Sequence, residues 1–127
     1  MSKVVLSLTA FFILLLSSTI LADAEFDGFV FYKNCDCPPQ HQVKILKAGG
    51  GSLPDYHRVK CYGNPGYNTQ PYTYTTGWYY ISVVGLGETE CEASSLEYVY
   101  HIAGETQHVD LTVYGPQEQP TGPEGGE

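Results

Sequence analysis

Short runs in which β-branched and aromatic residues alternate with polar ones recur along the chain, separated by clusters of Gly, Pro, Asn and Asp. Amphipathic helical periodicity is absent. Such alternation is what a half-buried strand requires, because successive strand side chains point to opposite faces. It predicts strands over 26–33, 42–47, 56–62, 71–76, 78–84, 94–102 and 107–114, with turns at 48–52, 63–66, 85–87 and 103–105 where Gly, Asn and Pro supply the backbone. About seven short strands predict an all-β fold, a small β-sandwich or a partly closed barrel. Period two puts Tyr79, Ile81 and Val83 on one core-facing side, and Val109, Leu111 and Val113 on another. Val43 and Ile45 pair with Phe29 and Phe31 or with Val30, according to a register the pattern leaves open.

The ends differ from the middle. Lys3, an apolar run from Val4 to Leu16 and the small-x-small sequence Ala22-Asp23-Ala24 read as a signal peptide over 1–24. That run is shorter than the roughly 20 residues a membrane span needs, so a secreted protein with no membrane partner is expected. From Gly115 the chain is rich in Gly, Pro, Gln and Glu, with too little apolar surface to order it, and 115–127 is expected to be a disordered tail. Between them, 25–114 forms one domain, large enough for a modest core that a disulfide would reinforce.

Four cysteines in an exported chain favour disulfides over free thiols. Cys61 and Cys91 lie on or beside different predicted strands, and a bond between them would close a loop of about 30 residues, worth roughly 3 to 4 kcal/mol in the chain-entropy model. Cys35 and Cys37 are harder to place, since a bond across one intervening residue is cramped. They form that strained bond, reach elsewhere, or find a thiol on a partner molecule.

Charge narrows the partners. The net charge is −8, and every Lys or Arg after the leader lies between Lys33 and Lys60. Nucleic acid is not an expected partner, because phosphate binding draws on clustered cations. Cys35, Cys37 and His41 offer thiolate and imidazole, but without a second ligand pair, so no metal or other cofactor is expected. His57, His101 and His108 sit singly on predicted strands, where solvent-facing or hydrogen-bonded roles suit them. Glu88, Glu90 and Glu92 alternate beside Cys91 as solvated carboxylates, and no Gly-x-Ser-x-Gly elbow, His-Glu-x-x-His motif or phosphate loop is present, so a noncatalytic protein is expected. Asn34, Asn64 and Asn68 lack the N-glycosylation context.

Tyrosine is the compositional excess, with eleven residues. Its ring offers an apolar face and a polar tip, useful against sugars or protein surfaces, although tyrosine also favours strands for packing reasons. The candidate binding face is Tyr67, Tyr72, Tyr74 and Trp78, with Tyr72 and Tyr74 expected to point outward and Tyr79 inward.

With those residues in view, the chain resembles the pollen Ole e I and extensin family of plant cell-wall proteins. The likeness rests on Gly28-Phe29-Val30 with Cys35 and Cys37, on Val59-Lys60-Cys61, on Thr75-Thr76-Gly77-Trp78-Tyr79-Tyr80-Ile81, and on Cys91 with Leu96. It covers roughly 26–113, in short and degenerate elements. The opening pair departs from the family's Cys-x-x-Cys, and two further cysteines are missing, so the family's three-bridge pattern cannot form. The resemblance implies a Cys61–Cys91 bond, with Cys35 and Cys37 deprived of their usual partners. It also implies a secreted, noncatalytic structural or binding protein of cell wall or pollen, with an extracellular polysaccharide or a wall protein as partner. A second likeness, to transthyretin-like sandwiches, would imply a small-ligand or protein carrier. A secreted host-interaction effector or inhibitor is a third class that fits a small disulfide module.

Overall fold

A computed structural model describes residues 23–116. Most of the expected leader over 1–24 and of the expected tail over 115–127 therefore lies outside the described residues; of the latter, Gly115 N donates to Lys33 O. Within them the chain is all β, an open two-sheet sandwich and not a closed barrel. The strands are β1 (Phe26–Lys33), β2 (Gln42–Lys47), β3 (Asp55–Arg58), β4 (Gly66–Asn68), β5 (Gly77–Val84), β6 (Ala93–Ser94), β7 (Leu96–His101), β8 (Gln107–His108) and β9 (Leu111–Tyr114). One sheet runs β4-β1-β9-β6, with β8 also paired to β1; the other runs β3-β2-β5-β7. Among the described residues, no helix is long and apolar enough to cross a membrane.

The core lies where alternation predicts it. Phe26, Val30, Leu111 and Val113 from the first sheet meet Val43, Ile45, Tyr79, Ile81 and Val83 from the second, all buried. The open register question resolves in favour of Val30: it turns inward, while Phe29 and Phe31 face solvent. Val43 and Ile45 pair with no residue of β1, since β2 is bonded to β3 and β5 and lies on the facing sheet.

Several strand expectations need correction. The run 94–102 is two strands on different sheets, and the chain changes sheet at Ser95, whose N–H donates to Thr112 O and whose hydroxyl accepts from Thr112 N. The run 56–62 ends as a strand at Arg58; beyond it Val59 N donates to His41 O and Lys60 bridges to Gly66. No strand forms over 71–76: Tyr72 N closes a turn onto Thr69 O, and Tyr74 N donates to the Glu25 carboxylate instead of to a neighbouring strand. The run 107–114 is broken at Val109 and Asp110, where the last strand passes parallel to β1. A Cβ on Gly28 would overlap the Val109 carbonyl, so glycine permits this close approach. The groups left over at the break are satisfied, because Tyr67 Oη donates to Val109 O at 2.8 Å and Phe29 N donates to Asp110 Oδ1 at 2.8 Å.

The disulfides overturn the expected pairing. Cys61 and Cys91 are not bonded to each other; the bridges are Cys35–Cys91, with Cα atoms 5.4 Å apart, and Cys37–Cys61, with Cα atoms 5.7 Å apart. A bond across the single intervening Asp36 is cramped, so Cys35 and Cys37 bond to two different partners and not to one another. Cys35, following β1, is tied to Cys91, preceding β6, and Cys37 is tied to Cys61 in the β3–β4 connection. The closed loops, with separations of 56 and 24 residues, are worth about 4 and about 3.5 kcal/mol in the chain-entropy model.

Trypsin distinguishes the two pairings, because no Lys or Arg follows Lys60. Without reduction, peptide 34–44 should remain joined to peptide 61–127. Recovery of 34–44 as a separate peptide would contradict the observed bridges.

Candidate functional site: an aromatic sheet face

Because Tyr79, Ile81 and Val83 face the core, their neighbours Trp78, Tyr80, Ser82 and Val84 must face outward on β5. On β7 the outward set is Leu96, Tyr98 and Tyr100; on β2 it is Gln42, Lys44 and Leu46; on β3 it is Tyr56 and Arg58. Strand register gathers these side chains. Trp78 lies opposite Tyr100, Tyr80 between Leu46 and Tyr98, and Lys44 between Tyr56 and Ser82. Tyr56, Trp78, Tyr80, Tyr98 and Tyr100 are 39 to 50% exposed; the last four adjoin one another, and Tyr56 lies on the same face across Lys44 of β2.

The rings are held by one another. Trp78 stacks on Tyr98 with centroids 4.7 Å apart and planes 15° from parallel, Tyr80 lies 4.7 Å from Tyr98, and Tyr100 meets Trp78 edge-on at 5.3 Å. Each such pair adds about 0.5 to 1.5 kcal/mol beyond its buried area and removes rotamer freedom that a ligand would otherwise have to freeze. The face is also set apart electrostatically. None of its outward positions is Asp or Glu, although the whole chain carries −8, and Lys44 and Arg58 supply positive charge beside the rings.

Of the four residues expected to form a binding face, only Trp78 lies on this surface. Tyr67 is 4% exposed and spends its hydroxyl on Val109 O. Tyr74 is 8% exposed, packed edge-on against Phe26 and Tyr79, with its hydroxyl 2.8 Å from His57 Nε2. Tyr74 thus points inward, contrary to expectation, because the strand over 71–76 on which an outward direction depends does not form. Tyr72 is 54% exposed but sits in the loop, edge-on to His57. Tyr79 is inward as expected. Tyr56, Tyr80, Tyr98 and Tyr100 were missed, although the parity that sends Tyr79 inward already sends Trp78 and Tyr80 outward.

Over the other sheet lies an open groove of about 690 Å³, lined by Asp27, Phe29, Tyr62, Tyr67, His108 and Asp110 among others. Two of its carboxylates are engaged within the molecule, Asp27 lying against His108 Nδ1 and Asp110 accepting from Phe29 N. The thiols of Cys35 and Cys37 beside His41 are both oxidised, so they are not available as ligands.

Three histidines are internal. His41 Nε2 lies 3.3 Å from Thr89 Oγ1, whose own proton goes to Leu86 O, so Nε2 carries the hydrogen and Nδ1 accepts from Tyr32 Oη at 2.9 Å. Burial lowers the His41 pKa, and it lowers that of His57 against the opposing pull of Asp55. Burial likewise raises the Tyr32 hydroxyl to about 12. His101 Nε2 donates to Glu25 Oε1 at 2.8 Å. Desolvation pushes the Glu25 pKa upward, but hydrogen bonds from His101, Tyr74 N and Gly104 N outweigh it and hold the carboxyl below 4.5.

No protein-family model, curated protein or solved structure matches the chain.

The signs of these shifts agree. A buried neutral histidine contributes stability that is complete above the unfolded value of 6.5 and diminishes below it, as the unfolded chain takes up protons the fold excludes. Glu25 contributes stability that is present above 4.5 and is lost as pH falls through its folded value. The thermal midpoint should therefore begin to drop below pH 6.5 and drop further below 4.5; a midpoint that rose on acidification across this window would contradict the arrangement. Tyr74→Ala and Tyr79→Ala should each destabilise the fold by about 3 to 5 kcal/mol in urea titration, and Tyr72→Ala by less than about 1 kcal/mol. Equal costs for the three would be incompatible with their observed burial.

Proposed function

We propose that this chain is a noncatalytic, secreted binding module of the plant cell wall or pollen surface, and that its aromatic sheet face docks an acidic wall polysaccharide. The observation that carries the reading is the pairing of exposed rings with Lys44 and Arg58 on a face free of carboxylates, in a chain whose net charge is −8. Ring edges and phenol hydroxyls meet the mixed polar and apolar surface of a sugar chain, and the two cations favour uronate groups over neutral sugars. Two disulfides are compatible with an extracellular location. The resemblance to the Ole e I and extensin family supports the wall assignment, although the observed bridges differ from the pairing that the resemblance implies. A small-ligand carrier has less support, since the groove over the other sheet is open to solvent.

Trp78 is the single tryptophan, so its fluorescence reports directly on this face. Polygalacturonate should shift that emission, and added salt should weaken the effect. Tyr98→Ala and Lys44→Ala should each reduce affinity, by about tenfold for the ring, with the fold intact by circular dichroism. Cellulose should bind more weakly. Unchanged affinity in both variants would refute the docking face, and capture of a secreted protein in place of polygalacturonate would replace the polysaccharide with a protein partner.

A further inference from the structure

The sheet that carries the aromatic face ends at β7, a strand with one open edge among the described residues. Among the described residues, the strand partner of β7 is β5 alone, and the chain on either side of β7 leaves for the other sheet. In an antiparallel strand the N–H and C=O of one residue point to the same side, and the side alternates from residue to residue. Trp78 O accepts from Ala48 N toward the β2 side, whereas Val83 N donates to Ser94 Oγ on the β7 side. Gly77, Tyr79 and Ile81 therefore share the orientation of Val83 and bond to their partners His101, Val99 and Glu97. The backbone groups of Leu96, Tyr98 and Tyr100 point away from β5, along the open edge.

The other edge of this sheet is blunter. β3 has four residues and bears Asp55 and Arg58, whereas β7 has six and presents Leu96, Tyr98 and Tyr100, exposed by 63, 50 and 48%. Short, charged edges resist pairing, and long apolar ones invite it.

We propose that β7 pairs antiparallel with β7 of a second copy of this chain, about a two-fold axis at Tyr98. In that register Tyr98 lies opposite Tyr98 of the other copy and Leu96 opposite Tyr100, so the outward backbone groups of both strands are satisfied together. Glu97 falls opposite Val99, and no like charges stand directly across from one another. This self-complementarity selects a second copy over an unrelated strand. The product is one continuous sheet of two copies with a doubled aromatic face. The exposed surface of three side chains per copy falls short of the roughly 800 Å² per partner of a standard interface, and the net charge of −8 on each copy adds repulsion. The dimer should accordingly be weak, concentration-dependent and favoured by salt, which screens that repulsion.

Sedimentation velocity and amide exchange on the isotopically labelled full chain test the proposal. Sedimentation should move from monomer toward dimer as concentration and salt rise. The amides of Leu96, Tyr98 and Tyr100 should slow in proportion to the remaining monomer, about twofold when half the chain is dimeric, while those of Glu97 and Val99 stay protected throughout. Leu96→Pro removes an N–H that β5 does not use, a position where edge strands tolerate proline, and should abolish the dimer. Tyr62→Ala, exposed in the groove over the other sheet, should leave it. A monomer at all concentrations, or a dimer that survives Leu96→Pro, would overturn the edge pairing. Exchange at Tyr98 that is indifferent to concentration would do the same even if the proline variant failed to fold. The dimer does not rest on polysaccharide binding, because none of these measurements contains polygalacturonate.

Discussion

Cys35 and Cys37 form a fork. Standing one residue apart, they send one bridge to Cys91 at the start of β6 and the other to Cys61 between β3 and β4. The connection between β1 and β2 is thereby fixed to two later crossings of the chain between sheets, β3 to β4 and β5 to β6. Its residues can then serve as walls: His41 is fully buried between Tyr32 and Thr89, and its backbone carbonyl accepts from Val59 N. A domain of this length buries a modest fraction of its surface, so cross-links worth several kcal/mol are a large share of a typical net stability of about 5 to 15 kcal/mol.

The opposite end of the sandwich is closed by polar groups. Glu25, the residue before β1, accepts from His101 at the end of β7 and from Tyr74 N in the loop, and thus joins the two sheets. Tyr74 continues the chain of contacts to His57 on β3, and Thr69 exchanges bonds with both backbone groups of Phe26. Breaking one member leaves another buried and unpaired, which is costlier than losing a surface contact. The loop over 69–76 is ordered by these bonds in place of a strand ladder.

That substitution explains where the sequence could be read and where it could not. Alternation is a local signal, and it located β1, β2, β5 and the inward residues of β9, because hydrophobic parity alone decides them. The loop around Tyr74 alternates in the same way, but its backbone is held by Glu25, 49 residues away. The fork was equally hidden, since the proximity of Cys35 to Cys91 depends on β6 joining the sheet of β1 and β9. Three-residue β4 was missed because its Gly66-Tyr67-Asn68 sequence reads as a turn, and only pairing with Asp27, Gly28 and Phe29 makes it a strand.

The same parity argument reaches the face. A tyrosine that packs inward must place its hydroxyl, and Tyr67, Tyr74 and Tyr79 each have a partner: the Val109 carbonyl, the His57 ring and the Thr75 carbonyl. These three are determined by the interior, and their rings are not free to recognise anything. Core packing fixes the outward direction of Trp78, Tyr80, Tyr98 and Tyr100 but places no demand on their identity, because polar residues at these positions would fold equally well and dissolve better. Core packing thus gives no account of the four adjoining rings and of Tyr56 on the same face, and such exposed rings are what the proposed docking would use. The charge pattern fits the proposed docking: the outward positions of these four strands carry Lys44 and Arg58 and no Asp or Glu, so a polyanion on the strands themselves would meet no carboxylate.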